Sequence, residues 1–251
     1  VRIPNASPDT RVTGQPPTLL EAGYAVEFRW TGSDPDGRIR GYQWKLSNNG
    51  TDGISPQDTL TVDPLTGAVL HPWNFTASTD STFLVLADQA GFPGDTVDPR
   101  SFRSHSLFIR AVDDKGAVDP TPAYISFTST TIVPTCRVAF PGLGGSAAAA
   151  VPLSMNIGWE GQDSDFELRI PTQVRYLWIP AVDRNGVTIG SRYQYEQVYD
   201  EILSYDDPRW SLWLRYMPEE EDRRVLIPDQ ASNGYYLFAV QVQDTAGAVS
   251  V

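Results

Sequence analysis

The chain has 251 residues, 41 % hydrophobic and 11 % aromatic, with 19 Lys+Arg against 31 Asp+Glu and a net charge of −12. That apolar content can build a core and excludes a disordered chain; the acidity excludes a binder of phosphate backbones; the single cysteine excludes an intrachain disulfide or a Cys-based zinc site. The longest unbroken apolar stretch, Ala147 to Leu153, is far short of the ~20 residues a membrane helix needs.

Read from the N-terminus, Val1 to Pro4 stands ahead of the first patterned segment, and residues 1–10 form an extension. Tyr24, Val26, Phe28 and Trp30 then alternate with polar or small neighbours, the period of a strand with one buried and one wet face. A turn follows at Gly32-Ser-Asp34-Pro-Asp36-Gly37, then Tyr42-Gln-Trp44, then Asp88-Gln89-Ala90. Leu107, Ile109, Ala111, Asp113, Gly116, Ala117 and Val118 form a strand and hairpin turn, and Ala123 to Thr128 a last strand.

The same blocks return in the same order. Leu153, Met155, Ile157 and Trp159 repeat the first strand at an offset of 129, followed by Gly161-Gln-Asp163-Ser-Asp165-Phe166 and Tyr176-Leu-Trp178. Asp229-Gln-Ala231 repeats Asp88 to Ala90, and Phe238, Val240, Val242, Asp244, Gly247, Ala248 and Val249 repeat the hairpin block at an offset of 131. Helical periodicity is nearly absent; Glu196 to Leu203 alone offers two turns. Short strands between turn signals, twice over, predict an all-β chain of two tandem Ig-like or fibronectin III-like β-sandwiches. The first spans 11–133 and the second 134–251, with an aromatic-rich insert at 189–222, the boundary falling at Ile132-Val-Pro-Thr135.

The phrases Trp-x-Gly-x-Asp-x-Asp-Gly, Tyr-x-Trp, Ile-Arg-Ala-Val-Asp-Asp-x-Gly and Asp-Pro-Thr-Pro-Ala, all within residues 10–128, resemble the fibronectin type III-like and Ig-like modules of bacterial surface and secreted proteins. The second half resembles them more loosely, and neither half has the cysteine pair of antibody domains. The resemblance implies a non-enzymatic spacer, adhesin, sugar-binding accessory or assembly subunit outside the bacterial cell.

No catalytic constellation stands out. His71 and His105 are too few and too far apart for a metalloprotease pair, Gly142-Leu-Gly-Gly145 lacks a phosphate-loop pattern, and no carboxylate is singled out by its neighbours. Asp34, Asp36, Asp113 and Asp114 meet at one end of the first sandwich in this topology, where oxygen ligands suit Ca²⁺ and where Asx turn caps are the ordinary alternative. No other cofactor is implied. Asn5, Asn49 and Asn74 open Asn-x-Ser/Thr triplets, acceptor sites for glycosylation. Trp210, Trp213 and Tyr216 in the insert are either a cap on the second sandwich or rings that stack on a glycan or a partner.

The sharpest expectation comes from aligning the halves. Val118 leads to the strand Ala123 to Thr128, whereas its counterpart Val249 leads only to Ser250 and Val251. The strand carrying Phe238, Val240 and Val242 is thus expected to be an open edge, an assembly hazard. Its natural continuation past Val251, an earlier segment rerouted into the gap, or a strand from a second copy could fill it; in the last case Val1, Arg2, Ile3 and Pro4 are the candidate donor, building a head-to-tail polymer of the chain with itself. No nucleic-acid partner and no membrane span are expected.

Overall fold

A computed structural model describes residues 4–17, 19, 22–47, 73–90, 100–139, 154–180, 208–218, 223–226 and 236–250. The chain divides into two compact units, Val1–Thr131 and Ile132–Val251. All regular structure among the described residues is β; the segment around Glu196 to Leu203 lies outside them.

The first unit contains β1 (Asp9–Gly14), β2 (Ala22–Gly23), β3 (Ala25–Ser33), β4 (Ile39–Ser47), β5 (Asn74–Thr76), β6 (Asp80–Leu84), β7 (Gln89–Ala90), β8 (Arg100–Asp113) and β9 (Ala123–Ile132). One sheet runs β1-β3-β6 and the other β2-β9-β8-β4-β5, with β7 also on β8. Val26, Phe28 and Trp30 on β3 and Phe83 on β6 share one buried cluster with Tyr42, Leu107, Ile109, Ala111 and Phe127 of the other sheet. Two sheets therefore close on one apolar layer, the sandwich arrangement. On β3 the alternation holds: inward residues are buried, and Glu27 and Arg29 are exposed and paired with each other.

On β8 the alternation fails, because both faces are covered from His105 to Asp113. The inner face meets the core. On the outer face, the Arg110 guanidinium carbon lies 4.1 Å from the ring centre of Trp73 and bonds Gln43 through Nε at 2.8 Å. Lys45 Nζ lies 4.9 Å from the same ring. Charged side chains thus bury their stems and satisfy their heads against an aromatic face.

The second unit contains β10 (Thr135–Ala139), β11 (Ser154–Gln162), β12 (Gln173–Pro180), β13 (Leu214–Arg215), β14 (Arg223–Leu226) and β15 (Tyr236–Gln243). Its sheets run β10-β11-β14 and β13-β12-β15. β10-β11-β14 mirrors β1-β3-β6 strand for strand: Trp30 faces Val12 and Trp159 faces Val138.

Register corrects the sequence alignment of Tyr42-Gln-Trp44 with Tyr176-Leu-Trp178. Tyr42 faces Ala111, and Val174 faces Val242, the counterpart of Ala111. Val174, not Tyr176, therefore stands where Tyr42 stands. The hydroxyl that Tyr42 supplies beside Gly32 is supplied in the second unit by Tyr216, which follows β13. Gly161, the counterpart of Gly32, donates its N–H to Tyr216 Oη at 2.7 Å. Close approach favours glycine at both positions, since a Cβ would fall 3.2 Å from the Tyr42 ring at Gly32 and, at Gly161, 2.8 Å from Pro171 and 3.0 Å from the Tyr216 ring.

Tyr216→Phe leaves the buried Gly161 N–H without its acceptor, and such an orphan costs ~1–3 kcal/mol. Denaturant titration is expected to show the second unit unfolding earlier by that amount, with the first unit's transition unmoved.

Candidate functional site

The two hairpins that follow β8 and β15 are built alike. Asp113 and Asp244 are each held in two ways: their carboxylates accept the N–H of Ala117 and Ala248 at 2.7 Å, and their own N–H groups donate to the carbonyls of those residues at 3.0 Å. Gly116 and Gly247 both sit at φ 89°, a left-handed conformation that favours glycine. Val112 bridges Val118, and Gln243 bridges Val249.

After the turn the units diverge. In the first, Asp119 donates to the Ala111 carbonyl at 3.0 Å, and the chain goes on to lay β9 along β8. In the second, Ser250 takes the place of Asp119: its N–H donates to the Val242 carbonyl at 2.9 Å and its hydroxyl accepts the Val242 N–H at 3.0 Å. Among the described residues no strand pairs with the outer side of β15.

The direction of the backbone groups follows. Antiparallel ladders alternate inward and outward pairs. Val242 points both groups away from β12, towards Ser250, and the β12–β15 register runs without a shift. The N–H and C=O of Val240 and Phe238 therefore point outward as well. Side-chain burial differs as well: Leu107 and Ile109 are 0 % exposed and Trp30 is 1 % exposed, whereas their counterparts Phe238, Val240 and Trp159 are half-buried. Of the proposed donor, Val1, Arg2 and Ile3 lie outside the described residues; Pro4 is exposed and outside any strand.

The aromatic insert has a different role. Tyr216 is buried with its hydroxyl committed to Gly161, so it is no part of an exposed ligand platform. Trp210 and Trp213 are half-buried, with the Arg175 guanidinium carbon 4.8 and 4.5 Å from their ring centres. Arg175 bonds Gln241 Oε1 through Nε at 3.0 Å and Nη2 at 2.8 Å. By register Arg175 stands where Gln43 stands and Gln241 where Arg110 stands, so the Arg–Gln pair has exchanged strands while keeping a tryptophan lid.

The acidic loops of the first unit do come together. Gly37 lies so close to the Asp34 and Asp114 carboxylates that a side chain there would collide with both, which accounts for glycine at that position. Asp36 accepts from Lys115 Nζ at 3.0 Å and from the Ala6 N–H at 3.2 Å, and its carboxyl is held below its ordinary value, chiefly by Lys115. Burial pushes Asp113 up, but donors from Asn5, Ala117, Lys115 and Gly116 outweigh it and hold the group low. Among the described residues no three His, Cys, Asp or Glu side chains are arranged to hold a metal. Of the triplet asparagines, Asn5 donates its amide to Asp113 at 2.5 Å, Asn74 is exposed on β5, and Asn49 lies outside the described residues. Cys136 is half-buried, and burial raises its thiol to about 11, which favours the protonated form at neutral pH.

The corresponding loop of the second unit was not singled out by sequence. Ile132 donates to Asp165 Oδ2 at 2.8 Å, as Ala6 does to Asp36, but Ala246 stands where Lys115 stands. Asp163 is 1 % exposed, its Oδ1 lacks a partner, and burial, then Asp165 and Asp244, push its carboxyl up to about 7.

No family model and no curated protein matches the chain. Similar solved structures include the PKD1 domain of Vibrio anguillarum Epp (16 % identity, TM-score 0.24, covering 51 % of this chain and 95 % of that one). Another is the fibronectin(III)-like modules of Clostridium thermocellum CbhA (14 % identity, TM-score 0.30, covering 97 % and 90 %). A third is Salmonella alpha-2-macroglobulin, at 9 % identity and TM-score 0.26, covering all of this chain and 16 % of that one. At these TM-scores the all-β fold rests on the strand pairings themselves.

A carboxyl raised on folding makes the folded state the stronger proton binder. Its contribution is complete below about pH 4, the ordinary aspartate value, and is lost as pH rises through about 7. Asp163→Asn is expected to flatten the decline of the second unit's melting temperature across that window and to raise it at pH 8. An unchanged pH profile in a melting series would show that Asp163 does not carry the effect.

Proposed function

We propose that this protein is a non-catalytic structural subunit of the bacterial cell exterior, whose second unit is completed by a strand donated from another copy. The observation that carries the reading is the outer side of β15, where backbone groups of Val240 and Phe238 point away from the sheet beside half-buried Phe238, Val240 and Trp159. An edge of this kind favours strand addition, because each added residue pair satisfies backbone groups while its inward side chain covers apolar surface. The N-terminal Val1-Arg-Ile-Pro is the donor in this reading: Val1 and Ile3 are spaced to face one side of a strand, and Pro4 stops the pairing. Donor and acceptor are different surfaces, so the contact is heterologous and propagates into a filament. Arg175 occupies one face of the Trp210 and Trp213 rings in the insert.

Sedimentation and electron microscopy of the full chain over a concentration series test this directly. The reading expects polymers that grow with concentration and a soluble monomer when residues 1–4 are deleted. Monomers at every concentration, polymers that survive the deletion, or a chain extended past Val251 that covers β15 itself and stays monomeric would each overturn it.

A further inference from the structure

The loops that follow β3 and β11 carry matching carboxylates but differ by one charge. Asp34 and Asp36 of the first unit correspond to Asp163 and Asp165 of the second, and Asp113 corresponds to Asp244. In the first unit a cation of the chain itself stands among these groups. Lys115 Nζ lies 3.0 Å from Asp36 Oδ2 and 2.9 Å from the Asp36 carbonyl, and Asp114 and Asp34 also stabilise its charge. In the second unit Ala246 holds the place of Lys115, each directly before a glycine at φ 89°. The carboxylates remain. Asp163 is 1 % exposed, and its Oδ1 has no hydrogen-bond partner among the described residues. The Asp165 carboxyl lies within hydrogen-bond reach of it, and Asp244 adds a third negative charge near by.

Two ionised carboxylates this close repel each other unless positive charge lies between them, and burial removes the water that would screen them. A shared proton cancels one of the three charges; a divalent cation cancels two. We propose that this loop of the second unit binds one Ca²⁺ between the Asp163 and Asp165 carboxylates, in the place that the Lys115 ammonium holds in the first unit. The donors are all oxygens, which suits a hard cation, and Ca²⁺ accepts an irregular shell completed by backbone carbonyls and water more readily than Mg²⁺ does. Asp244 contributes charge at longer range, its Oδ1 being taken by the Ala248 N–H at 2.7 Å. Two carboxylates therefore hold the ion, in keeping with the lack of a three-carboxylate cluster among the described residues. The site is independent of the assembly proposed above.

Calorimetry on the metal-stripped full chain at pH 8 is expected to show one Ca²⁺ bound per chain, with a Kd on the order of 10⁻⁴–10⁻³ M. At about 10 mM Ca²⁺ the second unit is expected to melt roughly 5 °C higher, well beyond the effect of KCl at equal ionic strength. Asp163→Asn and Asp165→Asn keep the side-chain shape and are each expected to abolish both the binding heat and the rise. In the unsubstituted chain, amide resonances of residues 163–166 and 244–247 are expected to move during the titration. Absence of binding, a rise matched by KCl, or Ca²⁺ uptake that survives both substitutions would overturn the proposal. So would resonance shifts confined to residues 34–37 and 113–116, which would place the ion in the first unit.

Discussion

A β-strand is stable inside a sheet because every backbone N–H and C=O finds a partner on one side or the other. β8 meets that requirement with β9 on one flank and β4 on the other, and from His105 to Asp113 it is buried on both faces. β15 meets it on the β12 side and, on the other, only as far as Val242, where Ser250 supplies both a donor and an acceptor. Beyond that residue no strand pairs with the outward groups of β15 among the described residues. The rest of the functional reading follows from this difference between two otherwise parallel hairpins.

The units also show which features of the fold are fixed by position and which by residue. Gly32 and Gly161 each lie beside a tyrosine hydroxyl, but the tyrosine comes from β4 in one unit and from beyond β13 in the other. An Arg–Gln pair under a tryptophan lid lies on the outer face of the sheet in both units, with the partners exchanged across the strands. Each arrangement satisfies the same physical demand, a buried polar group met and a guanidinium shielded, from a different place in the chain.

These exchanges mark the limit of what the sequence revealed. Period-two patterning located β3 and β11, and the Asp…Gly-Ala-Val blocks located two hairpins of matching geometry, because strand alternation and a left-handed glycine leave direct traces in residue order. The role of Tyr216 was not legible, since its hydroxyl serves a glycine 55 positions away and nothing in local patterning marks that pair. Nor was the burial of both faces of β8, which depends on where Trp73 and Tyr124 come to rest. The raised carboxyl of Asp163 depends first on its burial and then on Asp165 and Asp244, and burial of a turn aspartate leaves no trace in residue order.

Amide hydrogen exchange on the dilute, monomeric full chain tests the central claim most directly. The Val240 and Phe238 amides, which point away from β12, are expected to exchange far faster than the Ala239 and Gln241 amides, which point towards it. They are also expected to exchange faster than the Ile109 and Leu107 amides of the first unit. Protection of Val240 and Phe238 equal to that of Ile109 and Leu107 would mean that the edge is already covered, and would contradict the account.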